Sequence, residues 1–310
     1  MSERVAVIGG GSIGVAFAIV WARGGCRVAV YEPDTERRAM GQAEILRKLE
    51  ILAESGLLNE PAAEVETRVT MVDNLEEAVS GVALVQECIP EQVELKTALF
   101  SKLAELTGPD TVLASSSSAI VASKSADGVA ASDRILVAHP GNPPYLLPLV
   151  ELVPSPETRA DIVSTAHGLY LQAGMSPVVV RREVEGFVFN RLQGAVLREA
   201  YALVRDGVAS VADIDTVMRD GLGRRWSFMG PFETVDLNTR GGIASHAQKM
   251  GPAYERMGTE RGQHDPWTPE LVADVVRQRR ELLPLDLWEE RVEWRDRQLV
   301  NIEVQRRELD

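Results

Sequence analysis

Up to about residue 182, short apolar runs rich in β-branched residues alternate with stretches whose apolar positions recur at helical spacing. The runs lie near residues 4–8, 27–31, 67–71, 82–86, 111–114, 134–138, 149–153 and 176–181. Continuous apolar runs of this length suit strands covered on both faces, and the helical stretches between them suit crossovers of a parallel sheet. Residues 33–66 carry a long helical pattern, which predicts a helical hairpin broken near Ser55-Gly56. After Glu185-Gly186 the strand pattern stops. Phe187 to Arg205 reads as a helix, and a second starts at Ser210, an N-cap with Asp213 three residues on, and stops at Gly221. Residues 240–268 hold Gly241, Gly242, Gly251, Gly258 and Gly262, so this segment is predicted to be irregular. Residues 286–308 read as a charged helix with Leu287, Trp288, Val292, Leu299 and Ile302 as its apolar positions. The pattern therefore predicts an α/β domain over residues 1–185 and a smaller all-α domain over residues 186–310.

The first run opens straight into Gly9, Gly11 and Gly14, and the second ends on Glu32, 18 residues after Gly14. Each glycine has a distinct task in holding a dinucleotide. Gly9 permits a tight turn, Gly11 lets the backbone approach a pyrophosphate, and Gly14 lets the following helix pack closely on the strand. The free N–H groups and positive end of that helix complete an anion site. Glycine turns alone are common, but strand, glycines, helix, second strand and terminal acid occur here in order. That order predicts a Rossmann-type, mostly parallel sheet with a bound dinucleotide. Glu32 can accept hydrogen bonds from the adenosine ribose and would repel a 2′-phosphate, which favours NAD over NADP. Arg37 and Arg38 lie just downstream and are able to hold a phosphate, so the opposite preference stays open.

A chain of 310 residues fits roughly two domains, and 45% hydrophobic with 25% charged residues is an ordinary soluble composition. A net charge of −13 without a basic run argues against nucleic acid or an anionic membrane as partner. The first strand starts so near Met1 that no leader is expected, and no apolar stretch nears the roughly 20 residues of a membrane span. A cytoplasmic protein is expected. Cys26 and Cys88 sit in apolar contexts and read as buried thiols. His139, His167, His246 and His264 show no paired ligand spacing, so no metal is predicted.

His139 closes the run Arg134-Ile-Leu-Val-Ala138 and precedes a Pro-rich turn, Pro140 to Tyr145. Ligands of open α/β sheets gather outside the carboxyl ends of strands, where this imidazole stands. Twelve residues on, Glu151 is the one charge in Leu149-Val-Glu-Leu-Val153, and a buried carboxylate is costly unless paired. If the two strands lie side by side, His139 is its natural partner, and the pair suits a general base near neutral pH. A structural ion pair fits the same residues. Ser115 to Ser118 follow another strand as a polar turn or as a source of hydroxyls. Asn190 fits a donor to a substrate oxygen or a helix cap, and Arg225 a clamp on a substrate carboxylate or a surface charge.

Taken together, the chain resembles the 3-hydroxyacyl-CoA dehydrogenase superfamily. The resemblance runs from residue 4 to about 240 and rests on Gln86-Glu-Cys-Ile-Pro-Glu91, Ala138-His-Pro-Gly-Asn-Pro-Pro-Tyr145, Pro148-Leu-Val-Glu-Leu-Val-Pro154, Gly186-Phe-Val-Phe-Asn-Arg-Leu192 and Asp220-Gly-Leu-Gly-Arg-Arg-Trp226. It implies a catalytic His139–Glu151 pair, an active-site serine at Ser118 and an active-site asparagine at Asn190. It also implies cofactor contacts at Ser12, Ile13, Glu32, Glu91 and Lys96, and pairing into a homodimer. Two departures point away from the CoA enzymes: Ser116 and Ala119 replace an Asn and a second Ser, and Pro140 and Gly141 replace two aromatic residues. Residues 33–66, where CoA enzymes tend to present bases, hold eight acids and four bases here. The resemblance thus implies an NAD-dependent dehydrogenase oxidising the 3-hydroxyl of a small hydroxy acid such as L-gulonate, with Arg225 on its carboxylate. L-carnitine and a short-chain 3-hydroxyacyl-CoA are the alternatives, and a non-catalytic NAD-binding structural protein is a third. Such a structural protein would need none of Ser118, His139, Glu151 and Asn190.

Overall fold

The structure is a computed structural model that describes residues 3–262, 268–292, 294 and 305. The chain divides into two compact units, one ending at Val196 and one starting at Leu197.

The first unit holds one eight-stranded sheet: β1 (Arg4–Ile8), β2 (Arg27–Tyr31), β3 (Val69–Val72), β4 (Leu84–Glu87), β5 (Val112–Ser115), β6 (Ile135–Pro140), β7 (Leu149–Pro154) and β8 (Ser176–Val179). Their spatial order is β3-β2-β1-β4-β5-β6-β7-β8. All neighbours are parallel except β6 and β7, whose Pro-rich turn makes them an antiparallel pair. Each apolar run predicted a strand, and each is one, shifted by no more than two residues. The reason is visible in β1, where Val5 and Val7 join one core cluster and Ala6 and Ile8 the other. Alternate side chains enter opposite faces, so a strand covered on both sides must be apolar throughout.

The crossovers are α1 (Ser12–Arg23), α2 (Thr35–Glu54), α3 (Ala62–Glu66), α4 (Leu75–Val79), α5 (Val93–Leu106), α6 (Ala122–Ser125) and α7 (Ala160–Gln172). The pair α2 and α3 is the expected hairpin, with Ser55 capping α2. Helix α1 is buried from Gly14 to Ala22, and its Phe17 and Trp21 stack against Tyr170 of α7.

Helix α8 (Phe189–Arg205) follows, and the second unit continues with α9 (Val211–Thr216) and α10 (Gly223–Trp226). Ser210 and Asp213 form the expected capping box. The helix does not stop at Gly221. It passes through a π-helical stretch, Val217–Leu222, in which the N–H of Gly223 donates to the Met218 carbonyl. A Cβ on Gly223 would lie 2.8 Å from that carbonyl oxygen, so glycine permits the wide turn instead of ending the helix. Helices α11 (Pro231–Asn238), α12 (Gly242–Glu260) and α13 (Pro269–Leu282) follow.

Helix α12 corrects the expectation of an irregular segment over 240–268. Its start is held by Asp236, fully buried, whose Oδ1 accepts from the Ile243 N–H at 3.0 Å. A Cβ on Gly242 would come within 2.7 Å of the same oxygen, so this glycine serves a close approach. Arg279 and Arg280 of α13 neutralise the Asp236 carboxylate. Leu287 lies in a 3-10 turn and Trp288 begins the helical stretch through Val292, while Leu299, Ile302 and His264 fall outside the described residues. Among the described residues no helix is long and apolar enough to cross a membrane.

Candidate active site

The glycine turn has the shape the motif requires. Gly9 has φ +107°, and a Cβ there would lie 2.8 Å from the Cys88 carbonyl oxygen. A Cβ on Gly14 would lie 1.8 Å from the Gly9 carbonyl oxygen, so α1 can pack on β1 only with glycine there. A Cβ on Gly11 would meet nothing within 4 Å, which leaves the backbone open on the side where a pyrophosphate is expected. Ser12 and Ile13 open α1, and no side chain caps it. Its first N–H groups therefore fit a dinucleotide pyrophosphate. The turn borders a cleft of about 460 Å³ lined by Gly10, Gly11, Ser12, Met40, Gly41 and Tyr145.

Glu32 ends beside this turn. Its Oε2 accepts from the Gly10 N–H at 3.1 Å and its Oε1 from the Asp34 N–H at 3.2 Å. Arg37 lies 3.5 Å from the same carboxylate and balances it. An acid so placed opposes a 2′-phosphate.

The antiparallel register pairs His139 of β6 with Glu151 of β7, and Nδ1 of His139 lies 2.8 Å from Glu151 Oε2. Both side chains are buried. The other carboxylate oxygen, Oε1, accepts from the N–H groups of Val188 at 2.7 Å and Phe189 at 2.9 Å. Burial works against the charged form of Glu151, but the bonds from His139, Phe189 and Val188 outweigh it and hold this carboxyl below its usual range. A carboxylate only accepts, so Nδ1 carries a proton, and in the neutral form of the ring the lone pair is on Nε2. The rings of Phe187 and Phe189 lie 5.5 and 6.2 Å from the imidazole.

Two arrangements in this site are not legible from the quoted motifs. Gly186 has φ +76° and Phe187, fully buried, has φ +50°. This unusual pair of left-handed residues turns the chain so that the next two N–H groups both meet Glu151. The sequence signal was Gly186 before an aromatic pair, and its purpose depends on β7, which is remote in the chain.

The second feature is Glu91. Its Oε1 accepts from the Ser117 hydroxyl and from the N–H groups of Ser118 at 3.1 Å, Ala119 at 3.1 Å and Ile120 at 3.3 Å. Its Oε2 lies 3.3 Å from Lys96 Nζ, which also meets both oxygens of Glu87 at 2.8 Å. Lys96 was expected to touch the cofactor. The structure buries it and sets its ammonium against two carboxylates.

Of the four serines that end β5 and follow it, Ser115 donates to Glu87, Ser116 bonds Gln86 and Cys88, and Ser117 donates to Glu91. Only Ser118 is exposed. Asn190, one residue inside α8, donates from Nδ2 to the Ser118 carbonyl at 3.3 Å, so it is not the cap of that helix. His139, Glu151, Asn190 and Ser118 thus form one continuous neighbourhood, joined through residues 188–190. Arg225 belongs to α10 in the second unit. Cys26 is buried, whereas Cys88 is partly covered and its thiol is pushed up to about 12 by burial, so it stays protonated.

Comparison with known proteins identifies the family of the chain. The family model for the NAD binding domain of 3-hydroxyacyl-CoA dehydrogenase matches residues 4–184, and that for the C-terminal domain matches residues 186–280. Lambda-crystallin of Oryctolagus cuniculus is 39% identical over 98% of this chain and 97% of its own length. L-carnitine dehydrogenase of a Pseudomonas species is 35% identical over 88% of this chain and 83% of its own. Among solved structures, the NAD+-dependent dismutase 5-formyl-3-hydroxy-2-methylpyridine 4-carboxylic acid 5-dehydrogenase superposes with a TM-score of 0.72. It is 28% identical and covers 93% of this chain and 98% of that one. This chain belongs to the 3-hydroxyacyl-CoA dehydrogenase family, as an NAD-dependent oxidoreductase that acts on a secondary CH–OH group.

Proposed function

We propose that this enzyme oxidises the 3-hydroxyl of a small free hydroxy acid, L-gulonate or a close relative. The observation that carries the reading is the His139–Glu151 pair, with Nδ1 committed to Glu151 and Nε2 left as the basic atom. Nε2 takes the hydroxyl proton, and Glu151 stabilises the imidazolium that forms. Ser118 and Asn190 hold the reacting oxygen. Bound NAD supplies the acceptor for the hydride leaving the same carbon. The turn from Gly9 to Gly14, with the N–H groups of Ser12 and Ile13, would hold its pyrophosphate, and Glu32 would hold its ribose. Arg225 is assigned to the substrate carboxylate on its chemistry alone, as a planar donor able to bind both oxygens.

A free acid is favoured over a CoA thioester by Pro140 and Gly141 after the imidazole and by the acid-rich segment 33–66. Two of the matched proteins are named for free acids, L-carnitine and a pyridine carboxylic acid. The test is NADH formation with L-gulonate, L-carnitine and a 3-hydroxyacyl-CoA side by side. The highest kcat/KM is expected with L-gulonate. A preference for the thioester would overturn the free-acid reading, and a preference for L-carnitine would move it within the same class.

The enzyme is also assigned a homodimeric state. Helix α8 and the turn after it expose Leu192, Leu197, Tyr201, Val204 and Val208, which a lone chain would leave in water. Sedimentation at micromolar concentration should give twice the chain mass. A single-chain mass would remove the assignment.

A further inference from the structure

We propose that Lys48, paired with Tyr145 on the wall of the cleft beside the glycine turn, is a specificity-determining residue. It binds the hydroxyl-bearing tail of a polyhydroxy acid and repels a quaternary ammonium. The proposal rests on the reading of a free hydroxy acid as substrate.

The cleft is shared by the cofactor turn and the turn that follows the catalytic strand. Gly11 and Ser12 line it, and so do Asn142 and Pro143, which come within four residues of His139. Helix α2 presents Glu44 and Lys48 to the same space, four residues apart on one face. Lys48 Nζ donates to the Tyr145 hydroxyl at 3.0 Å and lies 3.0 Å from Glu44 Oε1. Arg47 donates to both oxygens of Glu44. The bonds from Arg47 and Lys48 push the Glu44 carboxyl down to about 2, and those to Tyr145 and Glu44 push the Lys48 ammonium up. Both groups are therefore charged at neutral pH. Tyr145 and Glu44 take two of the three ammonium donors, which leaves one N–H for a ligand. The Tyr145 hydroxyl accepts from Lys48 and has its own proton to donate, and Glu44 Oε2 has a lone pair beyond the one Arg47 uses. A hydroxyl both donates and accepts, so donors and acceptors side by side on one wall suit the successive hydroxyls of a sugar acid.

The same placement opposes L-carnitine. A quaternary ammonium has no proton to donate and is held by aromatic faces. Tyr145 is the one aromatic residue lining this cleft among the described residues. The Lys48 ammonium stands 5.3 Å from the centre of its ring, with a charge of the same sign as the ligand's.

Lys48→Met keeps the stem and removes the charge. Arg23 donates to the Tyr145 carbonyl at 2.7 Å and still holds that residue in the variant. Steady-state kinetics with L-gulonate, 3-hydroxybutyrate and L-carnitine provide the test, since 3-hydroxybutyrate has the acid and the 3-hydroxyl but no hydroxyl tail. In Lys48→Met, kcat/KM for L-gulonate should fall about 10- to 100-fold, chiefly through KM. With 3-hydroxybutyrate it should stay within about twofold, as should the Kd of NAD+ measured by calorimetry. With L-carnitine it should rise about 2- to 30-fold as the ring face opens. An equal fall with L-gulonate and 3-hydroxybutyrate, or a weakened Kd of NAD+, would put Lys48 on a step common to all substrates and overturn the proposal. An unchanged preference among the three acids would also overturn it. In each of these cases wild-type turnover of L-gulonate would leave the free-acid reading standing. A wild type that prefers a 3-hydroxyacyl-CoA would sink that reading itself, and the proposal with it.

Discussion

Alanine at position 139 is expected to lower turnover about 10²–10⁴-fold while the Kd of NAD+ stays close to that of the wild type. The magnitude follows from what is removed. His139 supplies a lone pair aimed by a partner, since its Nδ1 is committed to Glu151 at 2.8 Å. Water filling the space would be a base with far lower proton affinity, held in no fixed direction. The cofactor turn is built from Gly9 to Gly14 and Glu32, none of which bonds the imidazole, so affinity for NAD+ has no reason to move. The two effects separate in steady-state kinetics combined with calorimetry. A stability cost is also expected, because Glu151 Oε2 loses its partner in a buried place, and a melting curve should accompany the kinetics. Turnover within a few-fold of wild type would take His139 out of the mechanism.

The sheet was legible because burial on both faces writes itself into every residue of a strand, as in Val5 to Ile8. The contact between His139 and Glu151 was legible for a related reason. An isolated carboxylate in an apolar strand must find a partner, and the short turn between β6 and β7 leaves His139 as the one in register. Glycine was harder to read. Gly9 and Gly14 announced their roles by spacing, whereas Gly221 and Gly242 looked like helix breakers, and Gly223 and Gly242 proved to be allowances for close carbonyl and carboxylate approaches. Those approaches depend on Met218 and Asp236, and nothing local marks them. The hold of Glu91 on residues 118–120 and the conformation of Phe187 were obscure for the same reason. A carboxylate that fills a nest 27 residues away, and a left-handed phenylalanine that aims two N–H groups at a distant strand, are products of tertiary placement.

The same crowding of donors makes Glu151→Gln a severe substitution, with turnover expected to fall about 10²–10⁴-fold although the side chain keeps its size. Three N–H groups converge on the carboxylate: Nδ1 of His139 on one oxygen, and Val188 and Phe189 on the other. A carboxamide has only one oxygen. If its NH2 turns toward Val188 and Phe189, two buried donors face a third. If it turns toward His139, Nδ1 must become the acceptor and Nε2 must carry the proton, which removes the base. Both orientations are unfavourable, so loss of turnover should come with a lowered melting temperature. The stability loss should depend on pH in a definite direction. Glu151 is held below its usual range in the folded protein, so its contribution is complete above the unfolded carboxyl value of about 4.3. It disappears as pH falls through the lower folded value. The stability gap between wild type and Glu151→Gln, followed by denaturant unfolding from pH 7 downward, should therefore narrow in acid. A gap that stays constant would mean that this carboxylate gains nothing from its three donors.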